Sequence, residues 1–249
     1  MARILIITNP TAARTSERGL AAVRRVFRDA RWTPDVAATT AAGQAVEFAR
    51  QAVADHFDLV AVYGGDGTVT EAVTGLRGSG IPVVLIPGGT GNVLAGNLRL
   101  PRDPARAAAA AVSGKPRALD LGRCRANGAT HFFTVSCGSG FDAELMSQTP
   151  SRMKRRWRMA AYFGRGLQLA MKVKNCGYRI TVDGHVHELP AANVTVANCE
   201  EVVPPLIPFR RGARLDDGLL DVVVISANGL LDSVLALKRM LFSGGLSGG

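Results

Sequence analysis

Hydrophobic positions in the first 115 residues follow two alternating rhythms. Short apolar runs at Arg3–Thr8, Val36–Thr39, Leu59–Tyr63 and Pro82–Ile86 have the length and β-branched content of strands. Between them, apolar residues recur at helical spacing. In Ser16–Ala30 they are Leu20, Val23, Val26 and Phe27, and Gly43–Ala54 reads the same way. Further helices are expected after the glycine-rich loops, to about Leu76 and about Leu98, and over the Ala-rich stretch Pro104–Val112. Strands alternating with helices on short connections imply crossover units and a mainly parallel sheet. Residues 1–115 are therefore expected to form an α/β lobe.

From about Pro116 the pattern changes. Ala118–Cys124, His131–Cys137, Tyr178–Asp183, Asn193–Ala197 and Leu219–Ile225 are strand-like, with Asp183-Gly184 and Asp217-Gly218 as turn signals. A long helix over Lys154–Lys174 interrupts them, and Leu230–Phe242 is expected to be another. Strands without alternating helices predict a mainly antiparallel second lobe, a β-sandwich over residues 116–249.

Composition narrows the class. With 47% apolar and 20% charged residues, the chain can bury a core, and no apolar run is long enough for a membrane-spanning helix. The short apolar run Ile4–Ile7, closed by a turn, is not expected to direct export. Cys124, Cys137, Cys176 and Cys199 lack metal-ligand spacing and read as free thiols of a reducing cytoplasm.

Charge is uneven. The chain carries 30 Lys+Arg against 20 Asp+Glu. Between Glu144 and Asp183 there is no acid, while Arg152, Lys154, Arg155, Arg156, Arg158, Arg165, Lys172, Lys174 and Arg179 all fall there. Such a block suits a polyanion or an anionic membrane face; a solvated helix face is the alternative. Few aromatics interleave the charges, so a nucleic-acid partner is not expected.

Candidate chemistry lies in two loops. In Val60–Glu71 (VAVYGGDGTVTE) a buried strand delivers three glycines around one carboxylate, and a helix begins at once. Backbone N–H groups at such a helix start suit phosphate. The carboxylate of Asp66 then requires a Mg²⁺, or contact with ribose or a reacting hydroxyl, unless it simply caps the helix. The next strand ends in a second loop, Pro87–Asn97 (PGGTGNVLAGN), and two such loops on one sheet edge mark a ligand site. No G-x-x-x-x-G-K-S/T occurs. Gly138-Ser139-Gly140-Phe141-Asp142-Ala143 lacks the acid that a dinucleotide fold would place about 20 residues on.

Together these segments resemble the diacylglycerol-kinase catalytic family, the bacterial lipid kinases and their sphingosine-kinase relatives. Asn9-Pro10, Gly64–Glu71, Pro87–Asn92, Gly138–Ala143, the helix Lys154–Leu167 and Ala213–Val222 (ARLDDGLLDV) stand in the family's order along nearly the whole chain. GGDGT is shared with NAD kinases and phosphofructokinases, so the resemblance implies an N-terminal lobe of that type. GSGFDAE and LDDGLLD single out the lipid kinases. Val93 stands where the family often has Asp.

The resemblance implies an ATP site of Asn9, Thr39, Gly65, Asp66, Gly67, Thr68, Glu71 and Thr90, with Asp66 and Asp142 as the carboxylates of Mg²⁺-dependent phosphoryl transfer. A structural Mg²⁺ would sit on Asp217 and the carbonyls of Arg214 and Leu219, an oxygen shell suited to a hard cation; an ordinary Asp-Gly turn is the alternative. Arg152, Lys154, Arg155, Arg156, Trp157 and Arg158 would contact the membrane.

The expected activity is an ATP-dependent lipid kinase, cytoplasmic and peripheral at the inner membrane face. An NAD kinase and a non-catalytic nucleotide- or membrane-binding relative are the alternatives. The family's late Asp-Gly-Glu, which would supply a base, has no counterpart before Gly249. The expectation is thus weak turnover, with strand edges left open to homodimer formation.

Overall fold

The computed structural model describes residues 2–140, 175–203, 207–208 and 212–227. The chain divides into two compact units, Met1–Leu119 and Asp120–Gly249, a few residues beyond the change of pattern at Pro116.

The first unit is built on an all-parallel sheet of β1 (Arg3–Thr8), β2 (Thr33–Ala38), β3 (Leu59–Gly64) and β4 (Val83–Pro87), in the order β2-β1-β3-β4. Its helices are α1 (Glu17–Asp29), α2 (Gln44–Ala54), α3 (Asp66–Leu76), the short α4 (Val93–Asn97) and α5 (Pro104–Ser113). The central strands β1 and β3 are buried almost throughout, because helices cover both faces of the sheet. Ile4, Ile6, Ala61, Tyr63, Val84 and Ile86 project to one face and pack with Val23 and Phe27 of α1 and Ala107 and Ala108 of α5. Their alternates Leu5, Ile7, Val60, Val62 and Leu85 are buried on the other, where α2 packs on β1 and α3 on β3. Full burial of each large side chain contributes about 1.5–3 kcal/mol.

Strand β2 starts earlier than the apolar run suggests. Thr33–Asp35 pair in register with Arg3–Leu5, and an edge strand needs no continuous apolar sequence to be held by its ladder. Ser16 caps α1 by accepting from the Gly19 N–H at 3.1 Å, and Asp103 caps α5 by accepting from Arg106 N–H at 2.9 Å with Pro104 following. The N-cap position of α2 is Gly43, which offers no side chain; a carboxylate from α3 serves instead, Glu71 accepting from the Ala45 N–H at 3.3 Å.

All strand pairs described in the second unit are antiparallel. Its strands are β5 (Gly122–Ala126), β6 (Ala129–Phe133), β7 (Ser136–Gly140), β8 (Cys176–Val182), β9 (His185–Ala191), β10 (Asn193–Ala197), β11 (Glu201–Val203), β12 (Ile207–Pro208) and β13 (Asp221–Ile225). A three-stranded sheet β13-β10-β7 is accompanied by the pairs β5-β6, β8-β9 and β11-β12.

Asp183 (φ 49°) and Gly184 (φ 84°) form the two-residue turn of β8-β9, both in the left-handed region that such hairpins need. Asn127 (φ 49°) and Gly128 (φ 76°) do the same for β5-β6, a turn not singled out in the sequence. The strands expected at Ala118–Cys124 and His131–Cys137 are consequently redistributed. Residues 118–121 lie outside any strand, and the second run breaks into β6 and β7. Hydrogen bonding explains both. The Asp120 N–H donates to the Leu215 carbonyl, and the Val135 carbonyl between β6 and β7 accepts from Asn198 N–H. The helices expected over Lys154–Lys174 and Leu230–Phe242 lie outside the described residues.

Candidate functional site

Strand order reverses between β1 and β3, since one connection leads outward to β2 and the other to β4. At such a switch point the loops leaving the carboxyl ends of the strands diverge and leave a crevice. Asn9, directly after β1, spans it. Its N–H donates to the Tyr63 carbonyl at 3.0 Å, and its Nδ2 lies 3.2 Å from Thr68 Oγ1 on α3. Asn9 Oδ1 accepts from both the N–H (3.0 Å) and the hydroxyl (2.8 Å) of Thr11, which shapes the first loop. Arg14 N–H closes that loop onto the Gly88 carbonyl at 2.8 Å.

The two glycine-rich loops lie backbone to backbone. Gly88 N–H donates to the Gly64 carbonyl at 2.8 Å. A methyl group on Gly89 would stand 2.6 Å from Gly65 Cα, and one on Gly88 would stand 3.1 Å from Gly64 N. These glycines are thus required by the close approach of the loops themselves. Gly67 differs: a methyl group there would meet nothing within 4 Å. Among the loop glycines it faces open space at the first turn of α3, where free N–H groups are available to an anion.

Asp66 joins the loops. Its Oδ1 accepts from the Leu94 N–H of α4 at 3.2 Å, while Oδ2 lies beside Gly91, 3.3 Å from where a Cβ on that residue would be. Gly64, Gly65, Asp66, Pro87, Asn92 and Leu94 border a small recess here. Asn92 holds the second loop in shape, its Oδ1 accepting from Gly89 N–H at 2.7 Å and its Nδ2 donating to the Gly89 carbonyl at 2.9 Å. Asn92 and Leu94 were not singled out in the sequence as site residues; PGGTGN marked the loop but not the partner it offers Asp66.

The other predicted residues are placed as follows. Thr68 is buried at the start of α3 against Gly64 and Asn9. Thr39 is buried just past β2, with its N–H on the Thr8 carbonyl at 2.8 Å and its hydroxyl 3.4 Å from the same oxygen. Glu71 faces the start of α2, and Thr90 is exposed at the tip of the second loop. Asp142 and the membrane-contact residues Arg152, Lys154, Arg155, Arg156, Trp157 and Arg158 lie outside the described residues. One member of the basic block is not unopposed: Arg179 of β8 pairs across the hairpin with Glu188 of β9, Nε to Oε1 at 2.7 Å.

In the second unit, Asp217 Oδ1 accepts from the Leu219 N–H at 3.1 Å, and Arg214 Nε donates to Asp216 at 3.2 Å. The loop is held by Asp120, whose Oδ2 accepts from Gly218 N–H at 2.8 Å. Asn198, almost fully buried, donates its Nδ2 to the carbonyls of Asp120 (2.8 Å) and Thr134 (3.1 Å). Its Oδ1 has no partner among the described residues. Sequence patterning singled out neither Asp120 nor Asn198.

Comparison with known proteins accords with this arrangement. The family model of the diacylglycerol kinase catalytic domain matches residues 3–124, and that of the YegS C-terminal NAD kinase beta sandwich-like domain matches residues 135–245. The chain is 32% identical over 240 residues to a diacylglycerol kinase of Bacillus subtilis (strain 168), covering 94% of this chain and 77% of that one. A diacylglycerol kinase of Staphylococcus carnosus (strain TM300) is 28% identical over 239 residues, with coverage of 92% and 74%. Among solved structures, a diacylglycerol kinase from Bacillus anthracis str. Sterne superimposes with a TM-score of 0.74 at 27% identity, covering 96% of this chain and 79% of the other.

Proposed function

The chain belongs to the diacylglycerol kinase family, and on that premise we propose that it transfers the γ-phosphoryl group of ATP, bound with Mg²⁺, to a hydroxyl of diacylglycerol or a related lipid. The placement of Asp66 carries this reading. A carboxylate inside a loop of phosphate-binding type serves no purpose toward phosphate alone. Here one of its oxygens is fixed by the Leu94 N–H, so the group is oriented by the fold rather than free to turn away. Gly67 beside it leaves room for a ligand to approach the first turn of α3.

Phosphoryl transfer demands positioning and charge neutralisation more than covalent chemistry. Asn9 after β1, Gly65 after β3, and Gly67 and Thr68 in the first turn of α3 are assigned to the nucleotide, together with Thr39, Glu71 and Thr90. The hard oxygen donor of Asp66 fits a divalent cation, and Mg²⁺ bound there would neutralise phosphate charge. Asp142 keeps its assignment as the second carboxylate from its place in Gly138–Ala143. A structural cation is assigned to Asp217 with the carbonyls of Arg214 and Leu219. The segment Arg152–Arg158, with Trp157 among its charges, is assigned to an anionic membrane surface, which makes the protein peripheral at the inner face.

Incubation of the chain with γ-³²P-ATP, Mg²⁺ and mixed lipids, followed by thin-layer separation, tests the proposal. Label is expected in a phosphorylated lipid that runs with phosphatidic acid. Label in a dinucleotide instead, with NAD present, would overturn the reading in favour of an NAD kinase.

A further inference from the structure

Tyr63 immediately precedes the Gly64-Gly65-Asp66 loop and is fully buried, packed with Val23 and Phe27 of α1. A phenyl ring would fill that space as well, so it is the phenolic hydroxyl that needs a reason. Both of its partners are backbone groups of the loop that follows β1. It donates to the Arg14 carbonyl at 3.1 Å and accepts from the Ser16 N–H at 3.3 Å. The backbone carbonyl of the same residue accepts from the Asn9 N–H at 3.0 Å. One residue of β3 thus holds both ends of the β1 loop, Asn9 at its start and Arg14 to Ser16 at its end.

Gly19 completes the arrangement. A methyl group there would overlap the Tyr63 hydroxyl and stand 3.1 Å from Ser16 Oγ, the atom that caps α1. The first turn of α1 is therefore trimmed to admit the hydroxyl. Within the loop, Thr15 Oγ1 lies 2.8 Å from the Asn9 carbonyl oxygen and 2.9 Å from that of Ala12. Asn9 Oδ1 is tied to Thr11 in the same loop, so a loosening of the far end reaches the Asn9 side chain.

We propose that Tyr63 is a positioning residue for the nucleotide, its hydroxyl fixing the β1 loop, and with it Asn9, in the shape that receives ATP. The inference rests on the assignment of Asn9 to the nucleotide. A loop already held in its bound shape loses less freedom on binding. One that visits other shapes binds with an affinity reduced by the fraction of time it spends in the competent one. Asp66 is held by a different contact, the Leu94 N–H. The hydroxyl accordingly bears on ATP binding and not on the transfer step.

The test compares the full chain with Tyr63→Phe, Gly19→Ala and the double variant. Hydrogen exchange is read first, without nucleotide, and Tyr63→Phe should speed it over residues 14–16. Calorimetric titration should then show ATP affinity weaker by about threefold to tenfold, the loss of one or two modest hydrogen bonds. In lipid phosphorylation the KM for ATP should rise in step while kcat stays within about twofold, the signature of lost uniform binding. Gly19→Ala should weaken ATP binding in the parent, and much less in the Tyr63→Phe background, where the atom it displaces is gone. Equal ATP affinity in parent and Tyr63→Phe would overturn the role, as would a fall in kcat with KM for ATP unchanged. A Gly19→Ala effect of full size in both backgrounds would also overturn it. Unchanged exchange refutes the hold on the loop itself, whereas a parent chain that binds no ATP overturns the kinase reading on which the assignment rests.

Discussion

Replacing Gly89 by Ala tests whether the two glycine loops form one unit. The added methyl would stand 2.6 Å from Gly65 Cα, where ordinary contact begins near 3.4 Å. Backbone cannot rotate aside as a side chain can, so the loops must part by about 0.8 Å. The hydrogen bond between Asp66 Oδ1 and Leu94 N–H crosses the same gap at 3.2 Å. The same opening would lengthen it to about 4 Å, beyond hydrogen-bonding range. Overpacking of this kind costs about 1–3 kcal/mol, and the lost bond to a charged group adds about 1.5 kcal/mol or more. A melting temperature lower by roughly 4 °C or more is expected, with lipid phosphorylation reduced at least about tenfold because Asp66 is no longer held.

Gly67→Ala is the control. It meets nothing within 4 Å and lies in the first turn of α3, so stability should hold or rise by up to about 1 kcal/mol. Its ATP affinity should nevertheless fall, since the methyl occupies the space beside the first free N–H groups. Differential scanning calorimetry and nucleotide titration on both variants decide the matter. A Gly89→Ala chain with parental melting temperature and activity would refute the argument from loop contact. A Gly67→Ala chain that binds ATP as the parent does would remove Gly67 from the site.

Three further outcomes are expected. Asp66→Asn deletes charge at constant shape and should lower lipid phosphorylation by about 10²-fold or more while circular dichroism stays unchanged; a rate within a factor of ten of the parent would remove its assigned role. Asn198→Ala strips the buried carbonyls of Asp120 and Thr134 of a shared donor, and chemical denaturation should show a loss of about 1–3 kcal/mol. Binding to phosphatidylglycerol vesicles should weaken as salt rises, and neutral vesicles should bind poorly. Arg179→Gln should leave that binding nearly unchanged, because Arg179 is already paired with Glu188 and an exposed pair contributes only about 0–1 kcal/mol.

What sequence alone determined here is local and periodic. The apolar runs of Ile4–Ile7 and Val60–Tyr63, the helical spacing of Leu20, Val23 and Phe27, and the glycine loops after β3 and β4 sufficed for an α/β unit with a parallel sheet. Burial forces period and length on a strand covered from both sides, and that pressure is written directly into the residues. Asp183-Gly184 was legible for the same reason, since a two-residue hairpin needs left-handed backbone and names its own residues. Asn127-Gly128 carried an equal signal but was masked by strands too short and too charged to stand out on either side.

Only the tertiary structure decided who meets whom. That Gly88 and Gly89 serve loop-to-loop contact while Gly67 faces open space cannot be read from three chemically identical residues. Nor can the partner of Asp66 on α4, the cap that Glu71 supplies to α2, or the carbonyls of Asp120 and Thr134 to which Asn198 donates. Each joins residues far apart in the chain, at positions fixed by strand order and register. Local patterning records whether a residue is buried, but it does not record the direction or the partner of its hydrogen bonds.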